Sequence, residues 1–408
     1  MAIAEVPEYA HLSDADVAAL AAELDTIRCD IETSRGTRDR RYIRRAIALQ
    51  RGLEVAARLI ILASKTKGGW AVGTVALAAA KCIENMELAH NISHGQWDWM
   101  NDPEIHSATW EWDMVGPSSH WMSSHNHRHH MFTNVIGVDD DLGFGVLRVT
   151  PEQEWRPGNL FQPLRAVLLA AAFEWGVAFH DLYSMQERET TQAAKSAHKK
   201  TMFRKMIRQS VKDYVIFPAL GRRRWRRALG ATVVANGLRN AWAYIVIVCG
   251  HFADGAEKFT ASVLDDETKP QWYLRQMLGT ANFRAGPVLA FMSGNLCYQI
   301  EHHLFPDLPS NRLPEIAGRV QALCDKYDLP YTTGSFIRQY LLTVRTICKL
   351  ALPVGVLAAT ADDAPETASE NKFRNRARQS DLAVAGDGVR HSGLATAVSA
   401  HRTRRKAS

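Results

Sequence analysis

The stretch SSHNHRHHMFTN, Ser123 to Asn134, sets His125, His127, His129 and His130 within six positions. Taken alone it has two readings. One is a polar, partly solvated loop in which histidine is incidental. The other is a metal site, and the rest of the chain must then supply further ligands at matching spacing. Two stretches do so. HNISH places His90 and His94 four residues apart, one above the other on a helix face. QIEHH adds Gln299, His302 and His303. A lone His-x3-His is weak, but three boxes beside apolar segments are a strong signal.

The ligand count narrows the metal. The seven imidazoles of the boxes exceed what a zinc site takes, which is about four ligands and often fewer from protein. Calcium and magnesium bind oxygen, which the boxes do not supply. Imidazole suits iron, copper, nickel and zinc. Neighbours such as His129/His130 and His302/His303 point about 100° apart on an α-helix, so each member of a pair is free to serve a different metal. Two irons held by neutral nitrogens fit best.

Outside the boxes the 408 residues look ordinary, with 46% hydrophobic and 23% charged side chains and a mean hydropathy of −0.21. That average hides a greasy middle between charged ends. LEVAARLIILAS (53–64) and WAVGTVALAAAKCI (70–83) flank KTKGG. Each is shorter than the roughly 20 residues that span a bilayer; together they predict a helical hairpin that enters the membrane and returns. Residues 164–183 and 228–249 each have spanning length, and their polar Glu174, Arg239 and Asn240 must face protein or a cavity. Residues 285–298 predict a short buried helix. Trp97, Trp99, Trp110 and Trp112 follow the hairpin as an interfacial aromatic belt would. The competing reading of all these segments is the core of a soluble α-protein.

The formal charge of +6 comes from arginine blocks at 38–45, 222–227 and the C-terminus. Two of these lie beside apolar stretches, which points to lipid headgroups. No nucleic-acid-binding signature accompanies them, so nucleic acid is excluded as a partner. The six cysteines stand singly, with no C-x-x-C pair; this argues against iron–sulfur or zinc-ribbon chemistry and for a reduced, cytosol-facing setting. The N-terminus lacks the pattern of a secretory signal. Ser13 with Asp16 predicts a capped amphipathic helix. Three regions are expected: a cytosolic amphipathic and basic stretch over 1–50, a membrane domain over 51–350, and a disordered basic tail over 351–408.

The boxes H-x3-H, H-x3-HH and Q-x-x-HH resemble those of the membrane fatty-acid desaturases. NLCYQIEHHLFPDLPSNRL (295–313) is similar to that family's third-box region, and HGQWDWMNDPEIH and YDLPYTTGSF extend the likeness over about residues 41–339. Within the family the chain looks most like actinobacterial acyl-CoA desaturases of the stearoyl, Δ9 type. The resemblance implies an all-α integral membrane fold of about four transmembrane helices. A cytosolic helical cap would hold a diiron centre there, and O2-dependent removal of two hydrogens would place a cis double bond in an acyl chain, with acyl-CoA as the substrate.

Carried over position by position, the metal ligands are His90, His94, His125, His129, His130, His302 and His303, with His251 added where the last span ends. Gln299 stands where some members carry histidine and is assigned a supporting or water-mediated role. His127 and Arg128 depart from the pattern: on an α-helix His127 faces away from His125 and His129, which favours a surface or supporting position over ligation. Asp98, Glu301, Asp139, Asp140 and Asp141 have two open readings, as acceptors that orient ring nitrogens or as solvated loop charge. His106, His120 and His180 are expected to be structural, and His11, His198, His391 and His401 to lie in solvated ends and loops. No residue is assigned to direct catalysis beyond the metal centre or to substrate binding.

No acid, base or nucleophile among the side chains attacks an unactivated methylene, so a cofactor must supply the oxidant. The chain holds no C-x-x-C-H, no iron–sulfur pattern and no G-x-G-x-x-G. Electrons are therefore expected from a separate reductase, with NAD(P)H acting only through it. A diiron hydroxylase or ketolase shares the same boxes. A zinc hydrolase would need an H-E-x-x-H-type site, which is absent, and a non-enzymatic lipid-binding protein would need no metal.

One conflict stands in the topology. For the boxes to meet on one face, two spans must separate the second from the third, which puts residues 184–227 opposite them. The positive-inside rule objects to RRRWRR there. The conflict eases if 164–183 re-enters without crossing.

Overall fold

Ser13 closes a capping box with Asp16: its hydroxyl accepts the Asp16 N–H, and the Asp16 carboxylate accepts the Ser13 N–H. Helix α1 (Asp14–Thr33) begins there. It is followed by α2 (Thr37–Ala63), α3 (Lys67–Cys82), α4 (Ser118–Ser124), α5 (Gln162–Ala171), α6 (Phe173–Arg188), α7 (Gln192–Val211) and α8 (Trp225–His251). Beyond these lie α9 (Lys269–Gly279), α10 (Pro287–Met292), α11 (Gln299–Leu304), α12 (Leu313–Lys326) and α13 (Phe336–Leu350). The computed structural model describes residues 9–253 and 255–353. The tail expected over 351–408 therefore lies almost wholly outside the described residues.

The fold is mostly helical but not wholly so. Strands β1 (Asn282–Arg284) and β2 (Thr333–Ser335) pair in parallel, with Phe283 opposite Gly334. They tie the chain just after α9 to the start of α13.

Helices α2 and α3 form the expected hairpin, turning at Ser64–Thr66. α8 packs along α3 through small residues, Ala78, Ala228, Ala231 and Ala235 among them, with Ala57 of α2 in the same cluster. Such residues let helix backbones approach closely. Gly73 of α3 meets α2 closely in the same way, since a Cβ there would lie 2.7 Å from Ile61. Both α3 and α8 start at the hairpin turn, where Trp70 Nε1 donates to the Arg227 carbonyl at 2.9 Å. Both end at the histidines. With 27 residues at about 1.5 Å each, α8 separates these two ends of the molecule by about 40 Å.

Around the histidine end sits a cap. The face of α1 carrying Leu20, Leu24, Ile27 and Ile31 joins Tyr273 and Leu274 of α9 and Leu313, Ile316 and Val320 of α12 in one core. Arg28 braces it with a fork to Asp307, at 2.9 Å through one nitrogen and 2.5 Å through the other.

The segment expected as one span over 164–183 is broken. α5 and α6 meet at 103°, because Ala172 leaves the helical region (φ −120, ψ 33). Asn240 of α8 serves both freed ends, donating to the Ala171 carbonyl at 3.1 Å and accepting the Glu174 N–H at 3.4 Å. Beside it Arg239 pairs with Glu174 at 2.7 Å, both almost fully buried. The polar residues of the two apolar segments thus satisfy one another.

After the break α6 returns to the histidine end, where Ser184 and Arg188 bond to Asp140. Residues 222–227 lie at the opposite end. α7 and the short helix Phe217–Leu220 carry the chain between them. The parity conflict is thereby divided, with 184–188 beside the histidines and RRRWRR far from them.

Three further expectations change. Among the described residues, one helix is long and apolar enough to span, Arg222–His251, with the bent pair 157–188 as a second candidate; four spans are not shown by length and composition. The 285–298 segment is helical only over Pro287–Met292, and Val288 is 77% exposed. Gly294 ends it in the left-handed region, where a Cβ would lie 2.3 Å from the Met86 carbonyl oxygen. The tryptophans form no uniform belt: Trp97 and Trp112 are buried in two separate cores, and Trp99 lies under Arg35 and Arg40.

Candidate metal centre

Both upstream boxes lie on π-helical turns. α3 loosens into one over Ile83–His90, and α4 into another over His125–His129, where the His130 N–H reaches the His125 carbonyl at 3.0 Å. Such a turn carries one residue more than an α turn and recurs at functional sites. Positions four and five after His125 therefore both lie over it. The His129 ring stacks at 4.9 Å and His130 stands edge-on at 4.8 Å. The α-helical geometry expected for this box is replaced by a wider one that turns three imidazoles inward. His127 points out and is exposed.

The third box rides on α11, fully buried against the other two. One nitrogen from each of His90, His94, His125 and His302 lies within 4.8 Å of the rest, and His129, His251 and His303 form a second such group. His302 and His303 are neighbours whose rings stand at 88°, so each joins a different group. His130 sits between them, with Nε2 3.2 Å from His125 Nε2 and its ring stacked 4.2 Å from His303.

These rings are poised for cations. His94 Nε2, His129 Nε2, His130 Nδ1, His251 Nδ1, His303 Nε2 and both nitrogens of His302 are buried without a hydrogen-bond partner. Leaving one such group unsatisfied costs about 1–3 kcal/mol. Metal ions bound through one nitrogen of each ring would remove most of that cost. The residues present therefore fit two metal ions bound mainly by nitrogen. Burial, followed by the neighbouring His125, pushes the His90 ring down to about 3. Burial likewise holds His94, His130, His302 and His303 well below their ordinary value. All five are neutral at pH 7, the form that binds metal.

Carboxylates and amides fix the ring orientations. Asp141 accepts from His125 Nδ1 at 2.8 Å, and both oxygens of Asp139 lie 3.0 Å from His129 Nδ1. Burial opposes a charge on His129, but Asp139 raises its pKa above the ordinary value. Asn91 Oδ1 reaches His90 Nδ1 at 3.2 Å, while Thr133 Oγ1 and Gln276 Oε1 meet His303 Nδ1 at 3.1 and 3.2 Å. The Gln299 amide lies 2.8 Å from His251 Nε2. Trp121 stacks on the His125 ring at 4.3 Å.

An apolar cavity opens onto this cluster. His90, His125, His129 and His251 stand on one side, and Trp112, Met114, Phe144, Phe173, Val177 and Phe252 line the other. A family model, Fatty acid desaturase, matches residues 68–335. The chain belongs to the fatty acid desaturase family. It is 55% identical, over all of its length and 96% of the relative's, to the NADPH-dependent stearoyl-CoA 9-desaturase of Mycobacterium tuberculosis. It is 27% identical to the sn-1 linoleoyl-lipid 6-desaturase of Synechocystis, over 64% of this chain and 74% of that one.

Within this desaturase the eight histidines named from the sequence converge on one buried cluster, and Gln299 stands beside His251. Two supporting assignments do not hold. Asp98 accepts from Ser107 and lies 3.6 Å from His106, touching no ring of the cluster. Glu301 is buried on α11 but accepts from Asn282 and Tyr331; burial pushes it up to about 7. The next two residues, His302 and His303, join the histidine groups, whereas its own side chain turns to Asn282 and Tyr331. Asp140 turns to Ser184 and Arg188.

His180, expected to be structural, lies 3.5 Å from Asp141 and so stands behind His125. His120 meets His198 ring to ring, and His11 reaches the Tyr327 carbonyl. His391 and His401 lie outside the described residues. Asn91, Thr133 and Gln276 escape the sequence reading. Adjacency to His90 was the one signal for Asn91, and nothing local marks the other two.

Proposed function

We propose that the chain is an acyl-CoA desaturase that places a cis double bond in a saturated acyl chain, with stearoyl-CoA and the Δ9 position as the leading substrate and site. The observation that carries this reading is the pair of buried histidine groups opening onto an apolar cavity. The acyl-CoA class and the Δ9 position rest on the 55% identical relative whose name states them.

His90, His94, His125 and His302 would hold one iron, and His129, His251 and His303 the other, with His130 between. Bound there, two irons supply the O2-dependent oxidation of an unactivated C–H bond that no side chain achieves. The protein's own residues do the rest. Asp141 and Asp139 hold the Nδ1 protons of His125 and His129, which turns each Nε2 toward the cluster. Trp112, Phe144, Phe173 and Phe252 exclude water and hold a methylene pair against the histidines. Overall, the acyl CH2–CH2 unit, O2, two electrons and two protons become a cis CH=CH and two waters. The electrons come from a separate NAD(P)H-linked reductase.

The membrane placement belongs to this proposal. The site faces the cytosol, residues 51–350 form the desaturase domain, and residues 1–50 lie on its cytosolic side. Four crossings are made by α2 beyond Gln50, α3, the stretch from Met202 to Leu220, and α8; in the third, Lys205 and Lys212 turn to Glu111 and Asp113 of the protein. Exposed apolar side chains on each support them, Leu59, Val72, Val215 and Val234 among others. α5 exposes Leu164, Val167 and Leu168, and α13 exposes Ile337, Leu341 and Val344; these two lie along the near surface of the bilayer.

The test is reconstitution with iron, NADPH, a reductase and stearoyl-CoA. Mass spectrometry should show loss of two hydrogens at C9–C10. Gain of one oxygen would mark a hydroxylase, and turnover without any reductase would overturn the partner assignment.

A further inference from the structure

The end of the bundle farthest from the histidines carries Lys65, Lys67, Arg222, Arg223, Arg224, Arg226 and Arg227, brought together by the hairpin turn and the start of α8. Among the described residues no acidic side chain forms an ion pair with them. The chain has none between Glu54 and Glu84, and none between Asp213 and Asp254. Two of the arginines are spent on backbone. Arg224 donates to the Ala63 carbonyl at 3.1 Å, and Arg227 to the carbonyls of Lys65 and Thr66 at 3.1 and 2.7 Å. These bonds lock the turn but neutralise no charge. Lys65, Lys67, Trp70, Arg226, Arg227 and Gly230 line an open groove there.

Cations so close repel one another unless an anion sits among them. The surroundings say which anion. On the segments that meet at the groove, Leu59, Val72, Leu220 and Trp225 are exposed, at 60%, 60%, 59% and 45%, so apolar surface leads from it back along the bundle. Its distance from the histidine end, about 40 Å along α8, matches a bilayer with its headgroup layers.

We infer that this groove binds the phosphate of an anionic glycerophospholipid, with Lys65, Lys67 and Arg226 as its free cations and the acyl tails lying along α2, α3 and α8. The lipid also accounts for a basic cluster on the face that the positive-inside rule disfavours. The inference rests on the proposed membrane placement for its choice of lipid over free phosphate.

The experiment uses the full chain in nanodiscs of phosphatidylcholine doped with phosphatidylglycerol, with native mass spectrometry counting bound lipids. The wild type should retain phosphatidylglycerol in preference to phosphatidylcholine. Each cation near an anionic lipid surface is worth about fivefold in affinity, so Lys65→Gln/Lys67→Gln/Arg226→Gln should lower retention on the order of a hundredfold. Lys199→Gln/Lys200→Gln, on another basic stretch, should leave it unchanged. If the triple variant unfolds, Lys67→Gln alone should still show about a fivefold loss.

Equal retention by wild type and triple variant, or no preference over phosphatidylcholine, overturns the inference. So does full displacement of the lipid by millimolar inorganic phosphate, which would make this a free-anion site. Failure of the membrane placement would show separately, as a chain that stays in solution without detergent and does not float with vesicles.

Discussion

Asp139 faces His129 with both carboxylate oxygens 3.0 Å from Nδ1, while the far nitrogen of the same ring lies buried without a partner. One carboxylate thus decides which nitrogen of His129 is offered to the second histidine group. Asp139→Asn keeps the shape and removes the charge. Loss of such an outer partner typically costs 10–100-fold in metal affinity. The variant should therefore lose about one iron per chain on dilution while keeping the other, as read by iron analysis and Mössbauer spectroscopy. Two retained irons would show that Asp139 does not position the ring.

His127 and His129 are two residues apart and differ in every respect that matters here. His127→Phe should keep iron and turnover, because the ring is exposed. His129→Ala should lose one iron and at least about a hundredfold in turnover, the scale set by outer-partner losses alone. The reverse result would overturn the grouping of the rings.

The iron-free protein should be acid-sensitive over a defined window. His90 titrates near 6.5 when unfolded and near 3 when folded, and His94, His130, His302 and His303 shift the same way. Below 6.5 the unfolded chain takes up protons that the folded one refuses, so stability falls as pH drops toward 3. Each such ring contributes about 1.4 kcal/mol per pH unit. His129 shifts the opposite way, but below 6.5 both states hold its proton, so it offsets none of this loss. Denaturation of the chelator-stripped protein between pH 7.5 and 5 should show the loss; a flat profile would contradict the neutral state of these rings.

Arg239 and Glu174 form a buried ion pair at 2.7 Å beside the α5–α6 break. Arg239→Met leaves Glu174 unpaired and should destabilise by about 3–5 kcal/mol. The double variant Arg239→Met/Glu174→Leu should recover much of that loss. Thermal unfolding in one detergent compares the two, and a double variant as weak as the single one would count against the pairing.

The crossing assigned to α7 and Leu220 has a direct readout. Cysteines placed at Gln192 and at Arg223, in a background without reactive cysteines, should differ in intact cells. An impermeant thiol reagent should label position 223 and leave 192 unlabelled until the cells are opened. The same labelling at both positions would remove the crossing.

Much of the centre was legible because ligand spacing is local. His90/His94, His125/His129/His130 and His302/His303 each announce themselves within a handful of residues, and the hairpin and α8 show in runs of apolar residues. The supporting carboxylates were harder. Asp98 and Glu301 lie near box histidines in sequence yet point elsewhere, whereas Asp139 and Asp141 reach back 10 and 16 residues through a loop. Thr133 and Gln276 arrive at His303 from segments 170 and 27 residues away, a tertiary fact that no window detects. The break at Ala172 was hidden for a related reason. Alanine is a good helix former, and what stabilises the bend is Asn240, contributed by a different helix.

The π-helical turns beneath the first two boxes carry a consequence for how this chain tolerates change. Each turn holds one residue beyond an α-helical count, so the imidazole register depends on a length as well as on identities. A π turn stores its extra residue locally, so deleting one residue between Ile83 and His90 would tighten it to α-helix and leave His90 and His94 near their present register. A deletion within α3 itself, which holds no such slack, would swing everything after it by about 100°. His90 and His94 would then leave the cluster together, with every histidine still present. The turn is thus the place where this helix can change length and keep its imidazoles, and a catalogue of point variants would miss that.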